Sequence, residues 1–226
     1  MKIDLRIVLI VMTAMVISCG KKAEEAWVTF ETPQPVNKSD IKELPKSFVG
    51  KYSPLKRPLS LYDSSTIAYD SNILQIQREI IVETKIFNTT QLLDSADREL
   101  YRRDTTFAIT EYGGLASIVI KGDSAFYHTI SKDTLFSSLR GDVLRKFKGY
   151  YFLNQKTPSG KWFVRKLSKF KDGLIVGTIS STADFDKLKL ISKSDTVYNF
   201  KLTRKQFKEF VNANGFTDED VFIKIQ

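Results

Sequence analysis

The sequence predicts a mainly β fold: an antiparallel meander forming a barrel or sandwich, with one mid-chain helix and a C-terminal helix plus strand. Three observations carry that reading. Apolar residues recur at a period of two from Phe48 onward, turn formers punctuate them at regular intervals, and only two stretches show a helical period. Leu74, Ile76, Ile80, Val82 and Ile86 share one parity, while Gln75, Gln77, Glu79, Glu83 and Lys85 largely hold the other. That is the pattern of half-buried strands, with a hairpin turning near Arg78-Glu79. Over 89–102 the period changes: Leu92, Leu93, Ala96 and Leu100 fall on one helical face, flanked by Asp94/Arg98 and Glu99/Arg103 pairs four apart.

Strands then resume over 115–120, 124–130, 134–137, 147–154, 161–170, 174–180 and 196–202. Between them stand Gly113-Gly114, Lys121-Gly122-Asp123, Gly141-Asp142, Pro158-Ser159-Gly160 and Asp172-Gly173, residues that tolerate tight turns. The adjacent pairs Tyr150/Tyr151 and Ile175/Val176 place apolar groups on both faces, so these strands are expected to be central and covered on each side. Near the end, Thr203-Arg204-Lys205-Gln206 fits a capping box, Phe207, Phe210 and Val211 form an apolar stripe, and Gly215 stops the helix. The run 221–225 predicts a last strand. Phe48-Val49-Gly50-Lys51-Tyr52 and Phe147-Lys148-Gly149-Tyr150-Tyr151 share an aromatic–x–Gly–x–Tyr pattern, the mark of two meander halves or of chance.

Composition narrows the chemistry. The chain has 226 residues, suited to one domain, with a single cysteine and a single histidine. One cysteine excludes an intrachain disulfide framework and any multi-cysteine metal site, and one histidine excludes the multi-histidine sites. No cofactor is expected, because no phosphate-binding glycine loop is present.

The amino terminus decides the compartment. Lys2 and Arg6 precede the apolar run 7–17, whose eleven residues at ~1.5 Å each reach about half way across a ~30 Å hydrocarbon core. The run ends in Val16-Ile17-Ser18-Cys19. This resembles the lipobox of a bacterial lipoprotein signal; Gly20-Lys21-Lys22 after the cysteine, with no aspartate, is similar to the enterobacterial pattern sorted to the outer membrane, and Glu24-Glu25 resembles the acidic export tags of Bacteroidota-type envelope lipoproteins. The resemblance implies removal of 1–18, thioether lipidation at Cys19 and outer-membrane anchoring, on the periplasmic or the cell-surface face. Residues 19–45, broken by Pro33, Pro35 and Pro45, read as a flexible tether in which Trp27-Val28-Thr29-Phe30 forms a docked edge strand. Residues 46–226 read as one β-rich domain.

The candidate sites are weighed against structural roles. Gly122-Asp123-Ser124 is similar to the serine block of GDS-type esterases, but that family's late Asp-x-x-His is missing and the triplet reads as a hairpin tip. His128 shares strand parity with Phe126 and Ile130 and reads as a core or interface histidine. Arg140-Gly141-Asp142 reads as a turn. Charge is the stronger signal: residues 19–144 hold 16 basic and 17 acidic groups, whereas 145–226 hold 17 and 8. Lys161, Arg165, Lys166, Lys169 and Lys171 are the candidate patch for an anionic partner, with Lys201, Arg204, Lys205 and Lys208 beyond them. An anionic glycan, a lipid headgroup or an acidic envelope protein fits such a field, alongside the membrane reached by acyl chains on Cys19. Nucleic acid does not fit, since the signal sends the chain out of the cytoplasm.

The expected role is therefore that of an envelope lipoprotein with a non-catalytic binding or scaffolding domain. The Gly-x-aromatic opening at Gly50-Lys51-Tyr52 resembles lipocalin-like barrels and implies the alternative of a carrier for a small apolar ligand. A second alternative is a hydrolase whose carboxylates converge only in space.

Overall fold

The computed structural model describes residues 28–55, 71–92, 107–109, 115–193 and 198–225. Its strands are β1 Thr29–Phe30, β2 Gly50–Pro54, β3 Ser71–Ile76, β4 Ile80–Leu92, β5 Phe107–Ile109, β6 Leu115–Lys121 and β7 Ser124–Ser137. There follow β8 Val143–Phe147, β9 Tyr150–Lys156, β10 Trp162–Phe170, β11 Gly173–Thr178, β12 Asn199–Phe200 and β13 Asp218–Lys224. The helices are α1 Thr182–Ser192 and α2 Arg204–Asn212.

All of these strands belong to one sheet, in the spatial order β8-β9-β10-β11-β13-β2-β3-β4-β7-β6-β5, antiparallel throughout that path. β1 sits on the edge of β10, with Phe30 opposite Trp162, and pairs in parallel with β12, with Thr29 opposite Asn199. The mainly β, antiparallel expectation holds, and the sheet is open: β8 and β5 are its ends.

The sheet nonetheless curls until its far parts meet. Gln155 Nε2 on β9 donates to the Thr134 carbonyl on β7 at 3.3 Å. The Asp142 carboxylate accepts from the Ser137 amide at 2.8 Å and the Lys156 amide at 3.0 Å, joining the end of β7 to the β8–β9 pair. Residues 41–44 fill the remaining gap: Ile41 bridges to Leu144 on β8, and the Leu44 amide donates to the Arg78 carbonyl in the β3–β4 turn at 2.7 Å. The concave face so enclosed is packed with Leu44, Phe48, Tyr52, Phe136, Tyr151 and Phe222 among other buried residues.

The convex face of β8–β11 carries a second core. There Phe30, Phe152, Phe200, Phe207, Phe210 and Phe216 are all fully buried beneath α1, α2 and the β1–β12 pair. Phe207 is central, with ring centroids 5.0 Å from Phe152, 6.4 Å from Phe30 and 6.3 Å from Phe216 in edge-on arrangements. Such contacts add about 0.5–1.5 kcal/mol per pair beyond the burial of area. β9 lies between the two cores, and Tyr151, Phe152, Leu153 and Asn154 are buried in succession. The expected two-sided burial of this strand is what the fold is built around.

Several expectations need correction. The edge strand expected near 27–30 is present as β1, but 31–45 are not a tether: Gln34, Pro35 and Leu44 are buried, so the folded body includes 28–45 and does not start at 46. Asn154, itself buried, holds this segment by accepting from the Gln34 amide at 2.5 Å and donating to the Gln34 carbonyl at 2.9 Å. Trp27 and the remainder of 19–27 lie outside the described residues. The expected helix at 89–102 starts too early, because β4 runs through Leu92; 93–102 lie outside the described residues. β7 is continuous where two strands were expected, since its long pairing with β4 carries it through 131–133.

Residues 147–154 divide into two strands at Lys148-Gly149, whose φ values of 54° and 85° form a tight hairpin turn. Gly50 instead starts β2 after a single 3₁₀ turn, Lys46–Phe48, so the two aromatic–x–Gly–x–Tyr copies occupy unlike positions. The β3–β4 turn and a bulge at Ile81/Val82 also reset the alternation. Leu74 and Ile76 face inward with Ile81, whereas Ile80 and Val82 face outward.

The last elements match closely, except that Asn214, with a φ of 53°, and not Gly215 takes the left-handed position after α2. Thr203 caps α2 with both hydrogen bonds of the capping box, and β13 follows. β12 is shorter than the strand expected over 196–202, and 194–197 lie outside the described residues. α1 was not foreseen.

Two outcomes test this packing. Phe30→Ala is expected to lower unfolding stability by about 3–5 kcal/mol in urea titrations, the cost of emptying a closed phenylalanine site. A loose tether would show almost no change. Burial raises the Tyr52 phenol above its ordinary value of 10.0, and its hydroxyl donates to the Phe48 carbonyl at 2.7 Å. The native state thus keeps that proton longer than the unfolded chain, and Tyr52 contributes stability below pH ~10 that is lost as pH rises through its folded value. Alkaline absorbance titration is expected to show a late-ionising tyrosine that Tyr52→Phe removes.

Candidate functional site

The five basic residues singled out in the sequence do not form one patch, because β10 is covered on both faces and its alternation divides them. Arg165 points into the concave side with Leu167 and is 6% exposed. Its Nη1 donates to the Leu135 carbonyl at 3.2 Å and to Gln155 Oε1 at 2.8 Å, and the guanidinium stacks 4.3 Å from the centre of the Phe163 ring. Burial lowers its pKa to about 10, against the opposing pull of Asp133, Glu83 and Asp142. Arg165 is a tie across the curled sheet, which corrects its assignment to a surface patch.

The others are scattered around it. Lys166 points to the opposite face, paired with Glu219 at 3.0 Å and lying over the Tyr150 and Phe216 rings. Lys169 donates to the Ser47 carbonyl at 2.7 Å above the Phe48 ring. Lys171 is exposed in the β10–β11 turn and Lys161 half-buried at the β9–β10 turn. Cys19 lies outside the described residues.

The remaining motifs have structural roles. Gly122-Asp123 is the turn between β6 and β7, as the sequence indicates. His128 is exposed on the outer face of β7 and lies 2.6 Å from Asn88 Oδ1 on β4, so it is not a core residue. Arg140-Gly141-Asp142 ends a 3₁₀ turn, and its carboxylate is occupied by the two backbone amides already described. Among the described residues, no three of His, Cys, Asp and Glu come together as a metal-holding group, and no helix is long and apolar enough to cross a membrane.

Two polar regions have the geometry to receive a partner. The first is the end of the concave face, where Asn72 Nδ2 donates to Glu83 Oε1 at 2.7 Å and Lys85 Nζ reaches Glu83 Oε2 at 3.1 Å. There the charges are paired with one another. On the reverse of the same hairpin, Gln75, Gln77, Ile80, Val82, Thr84 and Lys132 line a surface depression of about 310 Å³.

The second region is the helical layer, where the charges point outward. The apolar stripe Phe207, Phe210 and half-buried Val211 turns α2 so that Arg204, Lys205 and Lys208 project to solvent from one face. Lys201 is 78% exposed at the loop leading into α2, and Lys193 ends α1. Gln206 Nε2 donates to the Ile191 carbonyl at 3.0 Å, which brings the end of α1 to the start of α2 and gathers these side chains at one corner. Over 182–212 the sequence carries seven basic and four acidic residues. One of the acids is out of play: Asp184 is fully buried and clamps α1 through Thr217, whose amide donates to it at 2.6 Å.

That basic corner adjoins β1, at the start of the described residues. The Thr29 amide donates to the Tyr198 carbonyl at 2.7 Å, the Glu31 amide to the Phe200 carbonyl at 3.0 Å, and Lys201 lies 3.8 Å from Glu31. The sequence did single out Lys201, Arg204, Lys205 and Lys208. What it missed was α1, although Ser181 with Asp184 three residues on, followed by Phe185, Leu188 and Ile191, carries a capping and apolar signal.

No family model matches the chain, and no curated protein and no solved structure matches it.

The contrast within β10 is testable. Arg165→Lys keeps the charge but loses the planar fork and ring stacking, and is expected to cost about 1–3 kcal/mol in urea unfolding at pH 7. Lys171→Ala, in an exposed turn, is expected to stay within about 0.5 kcal/mol of the parent.

Proposed function

We propose that the protein is an envelope lipoprotein, anchored by acyl chains on Cys19, whose β body is a non-catalytic binding or scaffolding module at the membrane surface. The observation that carries this reading is an interval. Only eight residues, 20–27, separate the lipobox cysteine from Val28, which is 5% exposed and already part of the packed body. Fully extended at ~3.3–3.6 Å per residue, that interval spans no more than about 30 Å. A thioether-linked anchor of this reach holds the body beside the bilayer. Two or three chains at ~0.8 kcal/mol per buried methylene make such attachment effectively permanent.

Binding or scaffolding is favoured over carriage because the concave face is filled by its own side chains. Tyr52, Phe136, Leu153 and Leu167 occupy the volume in which a carried apolar molecule would sit. The partner class supported best is anionic, through the outward-facing lysines and arginine of the helical layer.

Mass spectrometry of the native protein is expected to find a diacylglyceryl thioether on Cys19 as the first residue of the mature chain. Cys19→Ala is expected to abolish lipid labelling and the outer-membrane fraction. Unchanged labelling and fractionation in that variant, or an unmodified Cys19 thiol in the native protein, would overturn the proposal.

A further inference from the structure

We infer that the basic corner formed by α1, α2 and the β12–α2 loop docks on anionic lipid headgroups of the leaflet that holds the anchor. The inference rests on the anchoring proposed above and specifies which face of the body turns toward the bilayer. Two observations support it. The first is where the chain outside the structure joins the body: Val28 continues directly into Thr29, hydrogen-bonded to Tyr198, and from Phe200 only Lys201–Thr203 intervene before α2 begins. Counted from Tyr198, the five residues 199–203 cover at most about 18 Å. An anchor at Cys19 therefore draws this corner, ahead of the opposite end of the sheet, toward the lipid.

The second observation is the charge and its placement. Lys193, Lys201, Arg204, Lys205 and Lys208 are exposed and directed outward around this junction. Among the described acids of the layer, Asp184 is buried, Glu31 lies against Lys201, and Asp186 and Glu209 remain exposed. Tyr198 and Leu190, 46% and 80% exposed, supply the apolar and amphipathic groups that sit at a headgroup boundary.

Helix stability does not account for the arrangement. The first turn of α2 holds no acid, and although Arg204 lies over the Phe147 ring, 5.8 Å from its centre, the exposed Lys205 stands there against the positive end of the helix dipole. The surface potential of an anionic leaflet decays over ~8–10 Å at ordinary salt, so a basic face is effective only if something holds it that close. The short tether does so.

The test uses the acylated native protein in vesicles of phosphatidylcholine alone or with phosphatidylglycerol. Amine acetylation is followed lysine by lysine. Lys193, Lys201, Lys205 and Lys208 are expected to react at least about threefold more slowly on the anionic vesicles, since each basic group near such a surface gains roughly a fivefold preference for it. Lys132 and Lys171, away from this layer, are expected to be unaffected, and 0.5 M salt, a screening length of ~4 Å, is expected to restore the rates.

Lys205→Glu with Lys208→Glu is expected to return Lys193 and Lys201 to their rates on phosphatidylcholine. Lys205→Glu alone, which repairs the dipole conflict, is expected to raise the urea midpoint, so loss of docking is separable from loss of folding. Equal rates on the two vesicles, slowing spread evenly over all lysines, or protection that appears only with an added acidic polysaccharide or protein would overturn the inference. Mass spectrometry of Cys19 on the same preparation keeps the two proposals apart. An unacylated cysteine defeats the anchor, whereas an acylated one with equal rates defeats the docking face alone.

Discussion

Burial of β9 on both faces is the constraint from which the rest of the architecture follows. A strand with Tyr151, Phe152 and Leu153 in succession has no face to give to water. Its concave side is closed by curling the sheet until β3, β4 and β7 face β8–β10, and its convex side by two helices and the β1–β12 pair. Such a strand also leaves polar groups to satisfy. Asn154, fully buried at the end of the run, makes its hydrogen bonds to Gln34, Val143 and Phe152 and so ties the amino-terminal segment into the body. Where the curl does not close by strand pairing, side chains close it. Asp142 caps two amides and Arg165 reaches a carbonyl across the core, a geometry in which neither group is available to a ligand.

Close backbone approach is a second consequence of dense packing. A Cβ on Gly173 would lie 2.0 Å from the Phe222 carbonyl oxygen, so β11 and β13 meet at a distance only glycine permits. The same crowding appears at Gly215, where a Cβ would fall 2.4 Å from the Phe210 ring. Gly215 lies beyond the end of α2, and the ring that fills the space above it belongs to the second aromatic core.

Much of this was legible in the sequence, and the unread parts share a cause. The capping box at Thr203, the central character of β9, the hairpin tip at Gly122 and the last strand are local signals, carried by a few adjacent residues whose chemistry is the same in any context. The edge strand at Thr29–Phe30 is legible, whereas 31–45 are not, because prolines and polar residues describe the backbone's lack of regular structure, and irregular backbone is not the same as loose backbone. What holds residues 28–45 are Phe30, Gln34 and Leu44, each meeting partners more than thirty positions away. Likewise β10 reads as a basic strand, and nothing in its alternation says that both of its faces are covered. The candidate patch over 161–171 dissolved for that reason, while the exposed charges of α2 survived, because the apolar stripe of α2 itself sets which way they point.

The basic corner shows how packing and surface charge constrain each other. A helix placed solely to cover an aromatic core gains from acids in its first turn, yet α2 begins Arg204-Lys205 behind a well-formed cap. The cap offsets part of what those cations cost, through the Thr203 side chain and the reciprocal Gln206 contact. The same Gln206 reaches the end of α1, so the residue that stabilises the helix start also sets the distance between the two groups of lysines. Arg204 recovers part of its cost by lying over the Phe147 ring, 5.8 Å from its centre, whereas Lys205 is exposed. The cost is local and falls on the first turn of α2, whereas the exposed side chains of α2 keep their direction because Phe207 and Phe210 fix the opposite side of the helix in the aromatic core.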